Sequence, residues 1–246
     1  MSDFITIRFY EELNDFLHYT KRKKPFNIIL SGKRTIKDII ESLGVPHTEV
    51  DLILANQRPV GFDYHPEKED YISVYPVFEA LDISTINLLR PAPLRVPKFV
   101  LDVHLGTLAR YLRLTGFDTL YRNDLQDEEI INISVSDQRI ILTRDRQMLK
   151  NGRVTHGYYV RNTNPGKQLR EIVSRFDLKD QFVPFTRCMD CNGLIIKVEK
   201  EDVIDQLLPK TRMAFHEFYR CNLCHKVYWK GSHYDKMIRI IEDSRS

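Results

Sequence analysis

The chain has 246 residues, of which 42% are hydrophobic and 29% are charged, and its formal net charge is +3. This composition is typical of a globular protein with its own core, and it excludes a disordered or fibrous chain. No apolar run approaches the roughly 18 residues of a membrane span, and the N-terminus lacks the basic and apolar regions of a secretory signal. We therefore expect a cytoplasmic protein with no membrane partner.

The charge is divided unevenly along the chain. Residues 1–85 carry 10 Lys or Arg and 14 Asp or Glu, whereas residues 86–246 carry 27 and 20. The basic second part is compatible with a ligand that has a phosphate backbone, although many soluble domains have a similar excess without such a partner.

Residues 1–85 are predicted to form a domain of four strands and one helix. In chain order the segments are FITIRFY, NIILS, the helix TIKDIIESLG that ends at Gly44, DLILANQRPV with a turn, and YISVYPVF. This order resembles the β-grasp of ubiquitin and of the small sulfur-carrier proteins over about residues 3–82. Those proteins act through a free C-terminal Gly-Gly, and this chain continues instead. The resemblance therefore implies a fold that serves as a docking or packing surface, including one for a protein partner.

Three prolines in the segment LLRPAPLRVPKF predict a linker at residues 86–97, namely Pro91, Pro93 and Pro97. Beyond it, the strands KFVLDV, FDTLYR, RIILT and HGYYV alternate with helices up to residue 180. Such alternation predicts an α/β domain over residues 98–180, with a parallel sheet and helices on both of its faces. Residues 181–246 contain the cysteines and a C-terminal helix.

Carboxylates follow three successive strands of this predicted sheet. Asp102 ends the first strand, Asp124 and Asp127 follow the second, and Asp145 follows the third. Because ligands of parallel sheets bind beyond the carboxyl ends of the strands, we expect these side chains to converge. Their mutual repulsion favours a bound Mg²⁺ or Mn²⁺, which can activate water for phosphodiester cleavage. The alternative is that Asp127 and Asp145 cap the helices that follow them.

All four cysteines belong to two CxxC pairs, Cys188 with Cys191 and Cys221 with Cys224. Two such pairs predict a structural zinc site with four thiolates, in a ribbon that carries an inserted helix at EDVIDQLL and a turn at Gly193. A disulfide is disfavoured in a reducing cytosol. Haem attachment at CNLCH would leave the other pair without a purpose. We expect His225 to lie outside the coordination sphere.

Several of these motifs together resemble the Mut-7 carboxy-terminal RNase domain. They are KFVLDVHLGTLARYLRLTGFDTLY, DEEI, RIILTRDR, CMDC and CNLCHKVYWKGSH, over about residues 97–240. The resemblance implies a PIN-like ribonuclease fold with an appended zinc ribbon, often preceded by a ubiquitin-like domain. It also implies an acidic site at Asp102, Asp127 and Asp145, with Asp124 and Glu128 as further candidates.

Other residues are candidates for contacts with substrate. Arg110, Arg113, Arg144 and Lys230 are expected to contact phosphate, and Thr143 to hold a metal-bound water, as the PIN resemblance suggests. Solvent exposure of the arginines and an ordinary strand-end role for Thr143 are the alternatives. In the run HKVYWKGSHY, we expect the rings to pack in the ribbon and the lysines to be exposed. The alternative is that its aromatic and basic side chains stack bases and contact phosphates.

These patterns predict a metal-dependent ribonuclease that hydrolyses RNA phosphodiester bonds, with structural zinc and catalytic Mg²⁺ or Mn²⁺. The main alternative is a non-catalytic adaptor that binds RNA or the ribosome through a PIN-like fold. A haloacid-type phosphatase is disfavoured by DVH in place of DxD, and a receiver domain by YYVRN, which lacks the expected lysine. The oligomeric state is left open.

Overall fold

The structure is a computed structural model that describes residues 3–76, 88–89 and 96–245. It contains two compact units. One unit comprises Met1–Val96, Ser134–Asp137 and Thr143–Tyr159, and the other comprises Pro97–Ile133, Gln138–Leu142 and Val160–Ser246. Most of the predicted linker, including Pro91 and Pro93, lies outside the described residues, and the predicted domain boundaries stay a prediction. In the part of the chain that is described, no helix has the length and apolar character needed to span a membrane.

Within residues 3–76, the N-terminal part contains five strands and one α-helix. They are β1 (Phe4–Phe9), β2 (Phe26–Ile29), α1 (Ile36–Ser42), β3 (Leu52–Ala55), β4 (Arg58–Pro59) and β5 (Tyr71–Tyr75). The sheet order is β2-β1-β5-β3-β4, with β1 antiparallel to β2 and parallel to β5. Alternate residues of β1 and the apolar face of α1 form a common buried core. This mixed sheet with one helix confirms the predicted β-grasp.

Helix α1 has clear signals at both ends. The Thr35 side chain accepts a hydrogen bond from the Asp38 N–H, and the Asp38 carboxylate accepts one from the Thr35 N–H, each at 3.2 Å. This reciprocal capping box satisfies two donors that the first turn leaves unpaired. The helix is followed by Gly44 at φ +103°, and a Cβ there would lie 3.0 Å from the Phe16 carbonyl oxygen. Gly44 therefore ends the helix as predicted.

Strands and helices then alternate four times, as predicted. The elements are β6 (Phe99–Leu101), α2 (Gly106–Leu114), β7 (Thr119–Leu120), α3 (Asp127–Asp137), β8 (Ile140–Thr143), α4 (Arg146–Leu149), β9 (Gly157–Tyr159) and α5 (Pro165–Arg175). The first strand is shorter than the segment KFVLDV, because a 3₁₀ turn at Val103–Leu105 follows Asp102 directly.

Strand β6 lies between β7 and β8 and is parallel to both. Phe99 is paired with Thr119 on one side and with Ile140 on the other. All three residues of β6 are fully buried, as is typical of a parallel strand that is covered on both faces. The first strand of this parallel sheet along the chain, β6, is thus the central one of these three.

The C-terminal part forms a three-stranded antiparallel ribbon and two helices. They are β10 (Ile195–Val198), α6 (Pro209–Ala214), β11 (Phe218–Cys221), β12 (Val227–Tyr228) and α7 (Tyr234–Arg245), and the ribbon order is β10-β11-β12. Helix α7 packs against α2 and α5.

The predicted helix at EDVIDQLL is wrong. Residues Ile204–Gln206 form only a 3₁₀ turn, and the α-helix begins at Pro209. Proline disfavours a helical conformation in the residue before it and suits the first helical position itself, so the helix begins after Leu208 rather than across it.

Residues Thr143–Tyr159 pack against the β-grasp fold within their common compact unit. The ring of Tyr159 meets Phe16 edge to face at 5.5 Å, and the Arg146 guanidinium lies 5.1 Å from the Phe16 ring centroid and 5.2 Å from that of Tyr159. The buried Glu49 carboxylate accepts a 2.6 Å hydrogen bond from the Tyr159 N–H. A further hydrogen bond of 2.9 Å joins His47 Nε2 and the Val154 carbonyl oxygen. The segment after β8 is therefore held by polar as well as apolar contacts.

Replacing Glu49 by Ala should destabilise this unit, because the Tyr159 N–H loses a buried acceptor. We expect the free energy of unfolding in urea to fall by about 1–3 kcal/mol and exchange of the Tyr159 amide hydrogen to accelerate. Asp63→Ala, which removes an exposed carboxylate, should change stability by no more than about 0.5 kcal/mol. Equal effects of the two substitutions would contradict the role of Glu49.

Candidate metal centre and acidic strand ends

The four cysteine sulfurs converge on one point. Their Sγ atoms all lie within 4.8 Å of one another, with 3.6 Å between Cys188 and Cys224 and 3.3 Å between Cys191 and Cys221. A tetrahedral zinc site with Zn–S bonds of about 2.3 Å has sulfur separations of about 3.8 Å, so the cluster is close to that geometry. All four thiols are free. Within the described residues, no other group of three or more His, Cys, Asp or Glu side chains is gathered in this way.

The two cysteine pairs sit on similar backbone turns. The Cys188 N–H donates to the Gly193 carbonyl oxygen at 2.7 Å, and the Cys221 N–H donates to that of Lys226 at 3.0 Å. In each turn the residue after the second cysteine has a positive φ, +70° at Asn192 and +59° at His225. The side chain of His225 is exposed and lies outside the cysteine group, as expected.

Gly193 was expected to serve a turn, but the structure gives a different reason for a glycine at this position. It does not adopt the left-handed conformation, but a Cβ at this position would lie 2.7 Å from Cys221 Sγ and 2.9 Å from Leu223 Cγ. The absence of a side chain therefore allows the two turns to approach each other. The sequence alone does not distinguish this close approach from a turn requirement.

The thiols differ in acidity. Burial raises the pKa of Cys191 to about 12. Burial also opposes ionisation of Cys188, but hydrogen bonds to its sulfur from the Tyr228 hydroxyl and from backbone N–H groups outweigh it and bring its pKa to about 7. A bound cation compensates the charge of thiolates that would otherwise stay protonated. The four clustered cysteines can thus bind zinc, the ion that such a closed set of sulfur ligands suits.

The first cysteine turn is tied to helix α2 by a buried arginine. Arg113 is 2% exposed, and its guanidinium donates to four backbone carbonyl oxygens, those of Thr119, Tyr121, Met189 and Asp190. The last two belong to the first cysteine turn itself. The expected phosphate contact does not fit this burial, and we assign Arg113 a structural role instead.

A second tie joins the same turn to strand β7. The Asn192 side chain accepts a hydrogen bond from the Thr119 N–H at 3.0 Å and donates one to the Asp118 carboxylate at 2.8 Å. Asp118 also pairs with Arg139 at 2.7 Å. Burial would raise the pKa of Asp118, but the hydrogen bonds from Arg139 and Asn192 hold it below its ordinary value. The ribbon and the parallel strands are therefore joined through polar groups.

Asp102 lies directly beyond the central strand and is 6% exposed. It precedes the 3₁₀ turn at Val103–Leu105, yet its side chain makes no capping hydrogen bond to that turn. Its N–H donates to the Leu142 carbonyl oxygen at 3.1 Å, which places the residue beside the end of β8. Helix capping therefore does not explain this buried carboxylate.

Asp145 does cap the following helix. Its Oδ1 accepts a 2.6 Å hydrogen bond from the Gln147 N–H, and its own N–H donates to the buried Thr143 hydroxyl at 2.9 Å. The capping alternative thus describes Asp145, and Thr143 orients the backbone that carries it.

The acidic residues after β7 are exposed: Asp124, Asp127 and Glu128. Asp127 is the first residue of α3 rather than the residue before it. The Arg122 side chain donates to the Asp124 carboxylate at 2.9 Å and holds the pKa of that group below its ordinary value. A metal ion at Asp124 would have to compete with this guanidinium.

The remaining basic candidates differ in their surroundings. Arg110 is exposed and lies 3.6 Å from Asp190, and Lys230 is exposed and lies 3.2 Å from Glu217. Arg144 is half-buried and directly follows β8. These three side chains, unlike Arg113, remain candidates for contacts with phosphate.

Comparison with known families gives two matches. The Mut7-C RNAse domain matches residues 97–241, and the Mut7-C ubiquitin domain matches residues 2–82. No curated protein and no solved structure was found to match the chain.

The cysteine cluster is expected to bind one zinc ion per chain, which atomic absorption of the purified protein measures. Cys221→Ser should abolish zinc retention and lower the temperature of unfolding, because the metal supplies folding energy to the ribbon. His225→Asn removes a neighbouring potential ligand while keeping a residue that tolerates a positive φ, and it should retain zinc. A protein that lost its zinc through the histidine substitution would contradict the four-sulfur site.

Arg113 and Arg110 form a matched pair one helical turn apart. Arg113→Met should lower the free energy of unfolding by about 3 kcal/mol or more, because it leaves buried carbonyl oxygens without their donor. Arg110→Met should change it by no more than about 0.5 kcal/mol, since the side chain is exposed. Urea unfolding followed by circular dichroism makes the comparison. If Arg113→Met lowered the free energy of unfolding as little as Arg110→Met, the buried hydrogen bonds of Arg113 would not be needed for stability.

Proposed function

The chain belongs to the Mut7-C RNase domain family, and we propose that it is a metal-dependent ribonuclease that hydrolyses phosphodiester bonds in RNA. The family match covers more than half of the chain and supplies the reaction class. The metal dependence and the residues that carry the reaction are our proposal. They rest on the strand order and on the surroundings of Asp102.

The observation that carries the proposal is the position of Asp102 at a switch in strand order. Chain order runs β6, β7, β8, but spatial order runs β7, β6, β8. The chain therefore goes from β6 to β7 on one side and then returns to β8 on the other side of β6. Ligands of open parallel sheets bind beyond the carboxyl ends of the strands at such a switch point. Asp102 follows the central strand, with its N–H on the Leu142 carbonyl oxygen of the neighbouring strand.

The chemistry of the donor set suits a hard dication. We propose that Asp102, Asp127 and Asp145 hold Mg²⁺ or Mn²⁺, with Asp124 and Glu128 as further oxygen donors. Carboxylate oxygens are the ligands that these ions prefer, and sulfur ligands are absent from the set. A buried carboxylate directly beyond the central strand fits this role, because a bound cation compensates its charge. When bound, the ion lowers the pKa of a water molecule and stabilises the leaving oxygen.

The other residues act by orientation and charge in this proposal. The Thr143 hydroxyl holds the Asp145 N–H and so orients the carboxylate. Arg144 and Arg110 contact phosphate oxygens, for which a guanidinium offers paired donors. The segment that carries Asp145 packs against the β-grasp fold through Arg146 and Tyr159. We propose that the ubiquitin-like domain contributes to the choice of substrate or of a protein partner through this connection.

Asp102→Asn is the decisive substitution, because it keeps the size of the side chain and removes its charge. Cleavage of RNA by the zinc-loaded protein with added Mg²⁺ or Mn²⁺ should fall by more than about 100-fold, beyond the 10–100-fold effect typical of residues that only support metal ligands. The measurement is the rate of cleavage of labelled RNA. Asp180→Asn changes an exposed carboxylate in the same unit and should leave the rate unchanged.

Three controls make the result interpretable. Zinc content and circular dichroism should be the same for both variants, which excludes unfolding. Omission of Mg²⁺ and Mn²⁺ should stop cleavage without loss of zinc. A protein that binds RNA equally well with and without the Asp102 charge, and cleaves none under any of these conditions, would instead be the non-catalytic adaptor.

A further inference from the structure

One face of the ribbon forms the floor of a cavity of about 360 Å³ that lies outside the acidic strand ends. This volume falls within the range of about 300–1,000 Å³ that is typical of small-molecule sites. In the ribbon, Lys197 is paired with Tyr219, and Tyr219 with Tyr228 on its other side. Directly paired residues lie on the same face of a sheet, so one cation and two rings line this cavity together. The Tyr228 hydroxyl is hydrogen-bonded to Cys188 Sγ at 3.0 Å, so its ring forms part of the wall. We call this space the ribbon cavity.

The walls of the ribbon cavity are also aromatic. Phe185 stacks on Tyr234 of helix α7 with 5.0 Å between the ring centroids and 23° between their planes. Phe185 has a φ of +62°, in the left-handed region that bulky residues rarely adopt, and its N–H donates to the Leu114 carbonyl oxygen at 3.1 Å. Such strain is typically found where function requires a particular side-chain position.

Trp229 and Lys230 complete the rim. Trp229 is 38% exposed, which is a large fraction for an indole ring. A Cβ on Gly231 would lie 2.8 Å from Trp229 Nε1, so the ring lies close over the backbone of the following turn. The indole therefore packs against the Gly231 backbone while part of its surface faces solvent.

The charge of the lining is of one sign. It includes Lys197, Lys230 and Arg187 and no acidic side chain. The Arg187 guanidinium forms an ion pair with the Asp118 carboxylate at 3.5 Å, and Lys230 pairs with the exposed Glu217. Lys197 has no carboxylate partner among the described residues. Flat aromatic surfaces with cations beside them fit a ligand that is planar and anionic at once.

We propose that the ribbon cavity binds an unpaired nucleobase of single-stranded RNA, stacked on its aromatic side chains, with Lys197 and Lys230 contacting the adjoining phosphates. This inference rests on the proposed function for the identity of the nucleic acid. Bases in a duplex are already stacked and paired, so only a single strand can insert one. The cavity would thus select unpaired segments and hold the substrate at a distance from the reacting bond.

The protein contains its own reporter for this test, because Trp229 is its only tryptophan. The full-length zinc-loaded chain is titrated with a short unstructured RNA without added Mg²⁺ or Mn²⁺, and RNA integrity is checked on a gel. Stacking should quench the tryptophan fluorescence. In fluorescence anisotropy with labelled RNA, Trp229→Leu should weaken binding by about 5- to 150-fold, as expected for the loss of one stacked base. Trp229→Phe keeps a ring and should stay within about threefold of the unaltered protein.

Substitutions of exposed lysines provide a second, independent test that should not disturb the fold. Lys230→Ala should weaken binding and reduce the slope of log affinity against log salt by about one, because one phosphate contact is lost. Lys236→Ala, an exposed lysine of α7 outside the cavity lining, should change neither. If Trp229→Leu loses zinc or helix content, the lysine pair decides the question.

The outcomes separate this proposal from the proposed function. Absence of quenching, with unaltered binding in Trp229→Leu and in Lys230→Ala, overturns the ribbon cavity as an RNA site even if Asp102-dependent cleavage is observed. Equal quenching by duplex RNA overturns base stacking as its mode. Quenching with the expected losses supports the cavity, and it does so even if no cleavage occurs and the ribonuclease proposal fails.

Discussion

The hydrogen bonds that the buried Arg113 guanidinium donates to backbone carbonyl oxygens are the interaction that joins the parts of the second unit. A charge in a protein interior is costly unless it is fully hydrogen-bonded, and burial lowers the pKa of Arg113. Its donors meet carbonyl oxygens of strand β7 and of the first cysteine turn, so one side chain joins helix, sheet and ribbon. The contacts are to backbone oxygens, which fixes the path of the chain rather than the identity of its side chains. A parallel sheet and a zinc-type ribbon thereby become parts of one compact unit.

The two kinds of metal site differ in the way their ligands are held. The sulfur site is assembled by two local turns with their own hydrogen bonds, and its ligands already lie within 4.8 Å of one another. The proposed oxygen site draws on strand ends that are far apart in sequence, and its most constrained member is Asp102. A closed thiolate site supplies folding energy, whereas an open oxygen site must exchange water and substrate. The difference in compactness is consistent with these separate roles.

Much of the fold follows from local signals in the sequence. The features that the sequence does not predict depend on residues that are distant along the chain. Alternation of strands and helices, the capping box at Thr35 and the stop at Gly44 each follow from the periodicity or geometry of neighbouring residues. The role of Arg113 does not, because an arginine on a helix face gives no sign that backbone oxygens from residues far along the chain will surround it. The carboxylates show the same limit. Asp102 and Asp145 look alike as strand-end residues, yet only Asp145 accepts a capping hydrogen bond from the helix that follows it.

The basic excess of the second part overstates the charge that a nucleic acid would meet. Arg113 is buried, and Arg139 and Arg187 both pair with Asp118, so these three cations serve the internal structure. Net charge counts them equally with Lys197, which has no carboxylate partner among the described residues. Electrostatic attraction of RNA depends on the cations that remain available to phosphate, together with their arrangement. At the ribbon cavity Lys197 stands beside aromatic rings, and the proposed contact with RNA depends on this combination rather than on the total charge.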